Sequence, residues 1–173
     1  MRRLIGGNLL LLSMDFSEVI VKRRSVRRYK PDPVSDELID KVLEAARIAP
    51  SAGNRQPWHF IVVRDAEKKK ALEINDWAAE APVVIVGCTD TSQSPTWCVV
   101  GAAIAFEHLV LAATAYGLGT CWMGKLDNEV IKRVMNIPDG ITVVAVTPLG
   151  YSAEEHGPRP RKTLAEIVHH EKF

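Results

Sequence analysis

The sequence lacks the residue arrangements on which several large enzyme classes depend. It contains no nucleophile elbow, no cluster of metal ligands and no pair of carboxylates within one loop. Its cysteines, Cys88, Cys98 and Cys121, are an odd number without zinc-type spacing. We therefore expect reduced thiols in a cytoplasmic protein that has no metal site.

The glycines do not form a known nucleotide-binding pattern either. The stretch at 117–124, GLGTCWMG, follows a predicted helix rather than a strand, and its third glycine is misplaced for a Rossmann fingerprint. No Walker-type phosphate loop occurs. Glycines here would instead let backbone amides approach a ligand closely, and the alternative is a helix C-cap at Gly117 followed by a buried connector.

An excess of one charge is also missing. The 22 basic and 21 acidic residues give a net charge of +1, so no global field favours nucleic acid or an anionic membrane. The longest apolar stretch is interrupted by Glu107 and His108, and we expect no membrane span. A length of 173 residues with 47% hydrophobic content fits one domain with a real core.

The first thirteen residues, MRRLIGGNLLLLS, imitate a signal peptide without a small-residue cleavage pattern. We predict an N-terminal extension of uncertain status at 1–13, followed by a single domain at 14–173. An export signal is the alternative interpretation.

Helical and strand patterns alternate along the domain. Apolar runs predict strands at 58–63, 82–88 and 141–147, and a final helix is expected at 164–170. This order predicts an α/β or α+β fold around one sheet.

Residues 97–116 form the longest predicted helix, and it is apolar nearly all round. A helix without a polar face must be buried on all sides, which is difficult in a domain of this size. We therefore predict a homodimer interface along it, with Glu107 and His108 as polar contacts in that interface.

A basic cluster occupies residues 22–28. Arg23, Ser25 and Arg27 alternate, so an extended backbone would point them to one side, where two guanidiniums and a hydroxyl can bind a phosphate. A second basic cluster at 158–162 could complete such a site. The alternative is a solvated basic run.

Residues 49–60, APSAGNRQPWHF, combine prolines and glycine with polar side chains. The amides of Asn54 and Gln56 both donate and accept, which suits the edge of a flat heterocycle. A tight turn whose amides cap backbone groups is the alternative. We expect His59, in the following strand, to be packed and hydrogen-bonded.

Together these stretches suit an organic cofactor that carries a phosphate and a flat polar ring. The chain resembles the short form of the nitroreductase family of FMN-dependent oxidoreductases. The resemblance rests on RRSVRRY at 23–29, APSAGNRQPWHF at 49–60, GLGTCWMG at 117–124 and PRPRKTLAEIV at 158–168.

The resemblance implies an α+β fold with a central, mostly antiparallel sheet, and an intertwined homodimer with FMN at its interface. It implies that Arg23, Arg24 and Ser25 contact the phosphate and ribityl chain. Arg27 would lie near the pyrimidine edge. The further cofactor-binding residues it implies are Pro50, Ser51, Asn54 and Gln56 from the other subunit, the backbone of Trp122, Met123 and Gly124, and Arg159 and Arg161.

The implied activity is hydride transfer from NADH or NADPH to the flavin and then to a nitroaromatic, quinone or flavin acceptor, with no catalytic side chain. Trp77 would be a mobile cover. Alternatives are a flavin-binding module without turnover, and dehalogenating or oxidative flavin chemistry. A nucleic-acid site on residues 23–30 is disfavoured by the near-neutral charge and the lack of interleaved aromatics.

Overall fold

The computed structural model describes residues 14–92 and 96–173, so the predicted extension at 1–13 lies outside the described residues. The elements in chain order are α1 (Phe16–Lys22), α2 (Asp36–Arg47), β1 (Trp58–Val63), α3 (Ala66–Ala71), α4 (Asp76–Ala79), β2 (Val83–Asp90), α5 (Cys98–Ala115), β3 (Gly119–Thr120), α6 (Asn128–Met135) and β4 (Ile141–Gly150).

The described strands form one sheet in the order β1-β2-β4-β3, and each neighbouring pair is antiparallel. The α+β prediction with a mostly antiparallel sheet is therefore confirmed. Strand β2 is central and is buried on both faces from Val83 to Thr89. One face packs on α2 and α5 and the other on α6, so the sheet separates two apolar clusters.

Helix α5 supports the sheet through Phe106, Leu109 and Ala113, which are fully buried. Its N-terminal half nevertheless leaves apolar side chains exposed, among them Val100 and Ile104. Among the described residues, α5 alone is long and apolar enough to cross a membrane, and 56% of that window is buried inside the protein, as in a core helix.

Helix α2 begins where its sequence predicts. The Ser35 hydroxyl accepts a hydrogen bond from the Leu38 N–H, and Asp36 and Glu37 occupy the first turn, where the helix dipole favours acidic groups. Its apolar stripe of Ile39, Val42 and Ala46 then faces the core.

Strand β4 is longer than its sequence predicts, since it continues through Pro148 to Gly150. Proline has no N–H to offer a ladder. The pairing with β3 begins one residue later, at Leu149 and Thr120, and the Cys121 N–H donates to the Thr147 hydroxyl at 3.1 Å. The strand therefore accommodates the proline where its ladder with β3 ends.

Two other expectations are wrong. The final helix is a single 3-10 turn at Leu164–Glu166, and its apolar residues Leu164, Ile167 and Val168 are exposed. So short an amphipathic segment is marginal as a helix without a packed face. His59 is exposed rather than packed; it lies on edge strand β1, which has a neighbouring strand on one side only and so offers fewer side chains to cover it.

Candidate functional site

Residues 23–30, the basic segment, run beside the glycine-rich stretch. Ser25 forms a parallel bridge with Thr120, and the Val26 N–H donates to the Thr120 carbonyl at 2.8 Å. A Cβ built on Gly119 would lie 2.7 Å from Val26 Cγ2. Glycine is therefore needed at 119 for the two stretches to come this close.

Residues 151–157, the tail segment, pair with the other edge of the basic segment. Tyr29 and Ser152 form an antiparallel bridge, and the Lys30 N–H donates to the Tyr151 carbonyl at 2.8 Å. The Ala153 N–H donates to the Arg28 carbonyl at 2.9 Å. This pairing brings the second basic cluster back to the first, although they are far apart in sequence.

The predicted alternation of side chains in the basic segment holds at Val26 but is not strict, because Arg24 lines the same cavity as its neighbours. Val26 is buried and faces the core, whereas Arg23, Ser25 and Arg27 line a cavity on the opposite side. This anion cavity has a volume of about 300 Å³. The described residues that line it are Arg23, Arg24, Ser25, Arg27, His156, Arg159 and Arg161.

Six of those seven residues are among the cofactor-binding residues predicted from sequence; His156 is not. A lone histidine after two acidic residues gives no sequence signal of its own. The signal available was its place two residues before the PRPRK cluster, in a segment that must approach the basic segment for the clusters to meet.

Arg24 ties the two segments together. Its Nε donates to the Gly157 carbonyl at 3.1 Å, and its Nη1 donates to the carbonyls of Val21 and Arg23. These bonds give Arg24 a structural part in shaping the cavity, since several of its donors are directed to backbone.

Glu154 fixes the backbone of the basic segment. Its Oε1 accepts hydrogen bonds from the N–H groups of Arg27, at 2.7 Å, and Arg28, at 3.2 Å. The Arg27 N–H is the main reason that the pKa of Glu154 lies below its usual value. His156 lies beside the same oxygen, with Nε2 at 3.3 Å.

Two further contacts surround Arg27. Its guanidinium carbon lies 5.9 Å from the centre of the Trp77 ring, which is half-buried on α4. Cys121 is also close: burial raises the pKa of its thiol, partly opposed by the charge of Arg27 and a hydrogen bond from Ser25. The net effect favours the neutral form of the Cys121 thiol.

Part of the backbone of the glycine-rich stretch is already hydrogen-bonded within the protein. Met123 forms an antiparallel bridge with Val146, in which the Met123 N–H donates to the Val146 carbonyl at 2.9 Å. That N–H is unavailable to a ligand. The flanking Trp122 and Gly124 are exposed, and Trp122 packs edge-on against Phe106 with ring centres 4.6 Å apart.

The polar loop at 50–56 is held in an unusual backbone conformation. Gly53, Asn54 and Gln56 all have φ between 51° and 59°, and the Gln56 N–H donates to the Ser51 hydroxyl at 2.9 Å. The Gln56 side-chain amide donates to the Asn54 carbonyl at 3.1 Å. Pro50 is exposed beside them.

This loop packs on α5, where a Cβ at Gly101 would lie 3.7 Å from Ser51 Cβ. Its four predicted site residues are not among the described residues that line the anion cavity. One chain therefore brings together the two basic clusters and the glycine-rich stretch, and holds the polar loop apart from the cavity.

The sequence profile of the Nitroreductase family matches residues 20–76 and 68–151. A Methanothermobacter thermautotrophicus protein, provisionally named NADH dehydrogenase/NAD(P)H nitroreductase, is 43% identical and is aligned over 84% of this chain and 82% of its own. The FMN reductase (NAD(P)H) of Bacillus subtilis is 26% identical over 89% and 72%. The solved structure of an FMN-dependent nitroreductase of Clostridium difficile superposes with a TM-score of 0.84 at 30% identity, covering 91% of this chain and 100% of that one. This chain belongs to the nitroreductase family.

Proposed function

We propose that this protein binds FMN and is an NAD(P)H-dependent oxidoreductase that reduces a small nitroaromatic, quinone or flavin acceptor. The observation that carries the proposal is the anion cavity, in which arginines from residues 23–27 and from residues 159–161 converge. The names of similar proteins, an FMN reductase and an FMN-dependent nitroreductase, support the same cofactor.

The cavity fits the phosphate group of FMN. Its described lining contains five guanidiniums and the Ser25 hydroxyl besides His156, and it includes no carboxylate. Guanidinium forks match phosphate oxygens in geometry and charge. Arg23, Ser25 and Arg27 share one face of an extended segment, so their donors converge on one group.

FMN, when bound, supplies the two-electron chemistry, so the side chains only have to bind and tune it. Arg27 is the residue proposed to tune it, because its charge would favour negative charge at the polar edge of the ring. Trp77 holds the Arg27 guanidinium from one side, and Glu154 fixes its backbone. Trp122 and Gly124 are exposed residues, and their backbone is proposed to face the ring.

We further propose a homodimer in which the polar loop of one subunit completes the cavity of the other. Val100 and Ile104 on α5, together with its N-cap residue Trp97, recur at helical spacing, and Trp97, Val100 and Ile104 are 56%, 44% and 38% exposed. Such a stripe on a helix is typical of a protein interface. The loop carrying Pro50, Ser51, Asn54 and Gln56 packs on the same half of α5, beside Gly101.

The proposal includes a cytoplasmic location and small-molecule partners rather than nucleic acid. In its support, the basic side chains converge on a cavity of molecular size instead of spreading over an open surface. An extended stripe of Lys and Arg is the usual footprint of a nucleic-acid site.

The test is the visible spectrum of the purified protein, followed by anaerobic addition of NADH and then NADPH. A flavin spectrum that bleaches within seconds supports the oxidoreductase. A flavin spectrum that persists with both donors favours a flavin-binding module without turnover. Failure to bind added FMN overturns the proposal.

A matched pair of variants connects that result to the cavity. Arg23→Ala should weaken FMN binding, whereas Arg133→Ala, an exposed arginine on α6, should not. Equal FMN affinity in both variants would contradict the assignment of the cavity to the phosphate.

A further inference from the structure

His156 occupies a defined place in the pairing between the tail segment and the basic segment. The antiparallel bridge joins Tyr29 to Ser152, and the Arg24 side chain reaches the Gly157 carbonyl. Continuing this register places His156 opposite Ser25. Directly paired residues in antiparallel chains project to the same side. Both residues accordingly line the anion cavity.

One nitrogen of the His156 imidazole is buried beside Glu154. The His156 side chain is 20% exposed, and Nε2 is fully buried 3.3 Å from Glu154 Oε1. The geometry of that contact is not a hydrogen bond, so Nε2 has no hydrogen-bond partner in the described protein. A buried polar atom without a partner is costly and needs an explanation.

Glu154 makes the position of His156 electrostatically significant. Its carboxylate is needed to hold the N–H groups of Arg27 and Arg28, but its negative charge opposes a phosphate bound nearby. Glu154 is not among the described residues lining the cavity, whereas His156 is. A ring N–H of His156 would add a donor to the cavity on the side where Glu154 lies.

We propose that His156 is a phosphate-binding residue of this cavity, which donates one ring N–H to the phosphate of FMN while its other nitrogen faces Glu154. This inference rests on the proposed function, because it assigns a further ligand to the same site. A phosphate-binding role for His156 can be distinguished from a packing role, because loss of a phosphate contact weakens the binding of phosphorylated ligands alone.

The experiment compares FMN with riboflavin, which has the same ring and no phosphate. The full chain, stripped of flavin, is titrated with each ligand while flavin fluorescence is followed. His156→Leu removes the donor and His156→Gln keeps an N–H donor. His170→Leu, an exposed histidine outside the cavity, is the control.

We expect His156→Leu to raise the Kd for FMN about tenfold, as loss of a hydrogen bond to a charged group does, and to leave the Kd for riboflavin unchanged. His156→Gln should recover most of the FMN affinity, and His170→Leu should match the wild type. Unfolding temperatures measured in parallel identify a variant that fails to fold. If His156→Leu does not fold, the FMN and riboflavin affinities of His156→Gln decide instead.

Two results would overturn the inference. Equal losses of affinity for FMN and riboflavin would mean that His156 has a purely structural role. Unchanged FMN affinity in a folded His156→Leu variant would mean that His156 does not bind the phosphate. Neither result bears on the proposed function, which is tested separately on the wild-type protein by FMN binding and by bleaching of the flavin with NADH or NADPH.

Discussion

Arg27 lies between an aromatic ring and a carboxylate: its guanidinium carbon is 5.9 Å from the centre of the Trp77 ring, and its backbone N–H donates to Glu154 at 2.7 Å. The Trp77 ring contacts the guanidinium of Arg27, and the Glu154 carboxylate fixes its backbone. Because Trp77 belongs to a short helix remote in sequence, the orientation of Arg27 depends on tertiary contacts.

Trp77→Ala should therefore weaken FMN binding through Arg27. A cation–π contact at a partly exposed site contributes about 0.5–1 kcal/mol, so we expect the Kd for FMN to rise about two- to fivefold. Trp77→Phe retains an aromatic face and should lose less. Fluorescence titration of both variants measures the effect, and a larger loss in the Phe variant would contradict it.

Gly119→Ala should destabilise the fold and loosen the cavity together. The added methyl group would meet Val26 Cγ2 at 2.7 Å, in the side chain next to Ser25. Overpacking of this kind costs about 1–3 kcal/mol of unfolding free energy.

Gly140→Ala provides a contrasting control, because its Cβ would meet nothing within 4 Å but its φ is +86°. It should lose stability through backbone strain without a change in FMN affinity. Urea unfolding and FMN titration of both variants separate the loss of stability from the loss of FMN affinity. Unchanged FMN affinity in Gly119→Ala would contradict the prediction that both are lost together.

Glu154→Gln should lower stability at neutral pH but not in acid. The folded-state pKa of Glu154 is depressed, mainly by the Arg27 N–H. Its stabilising effect is therefore present above the ordinary glutamate pKa of about 4.3 and is lost as pH falls through the lowered folded-state value. The difference in urea midpoint between wild type and variant should shrink from pH 7 to pH 3. A difference in urea midpoint that grows from pH 7 to pH 3 would contradict this prediction.

Val100→Glu should disrupt the proposed homodimer. It places a charge in the exposed stripe of α5, where Val100 is 44% exposed in the single chain. A charge buried in an interface without a partner is strongly unfavourable. We expect monomers by light scattering, with FMN lost because the polar loop of the second subunit is lost with it.

The matched control is Val62→Glu, a valine that is 38% exposed on β1. It should leave both the mass and the FMN content unchanged. A Val100→Glu protein that remains dimeric would place the interface elsewhere.

Local sequence patterns predicted those parts of the fold that depend on local physics. Ser35 marks the start of α2 because its hydroxyl caps that helix, and the apolar run of β2 predicts burial on both faces. The alternation of Arg23, Ser25 and Arg27 predicted that these three side chains share one side of the segment. They line one cavity, whereas Val26, which lies between Ser25 and Arg27, is buried in the core.

What the sequence did not reveal depends on pairing between distant segments. His156 joins the cavity only because the tail segment pairs antiparallel with the basic segment, and a single sequence carries no register for that pairing. The side-chain exposure of His59 likewise follows from β1 being an edge strand, which depends on the order of the sheet.

The cavity joins residues near both ends of the domain: the Arg24–Gly157 and Arg27–Glu154 contacts span 133 and 127 positions of the chain. Closing so long a loop is entropically unfavourable and is expected to come late in folding. A bound anion that bridges both segments would stabilise that closure by mass action. Resistance of the C-terminal tail to protease would then rise with cofactor occupancy, so a simple digestion pattern could report how much of the protein is loaded.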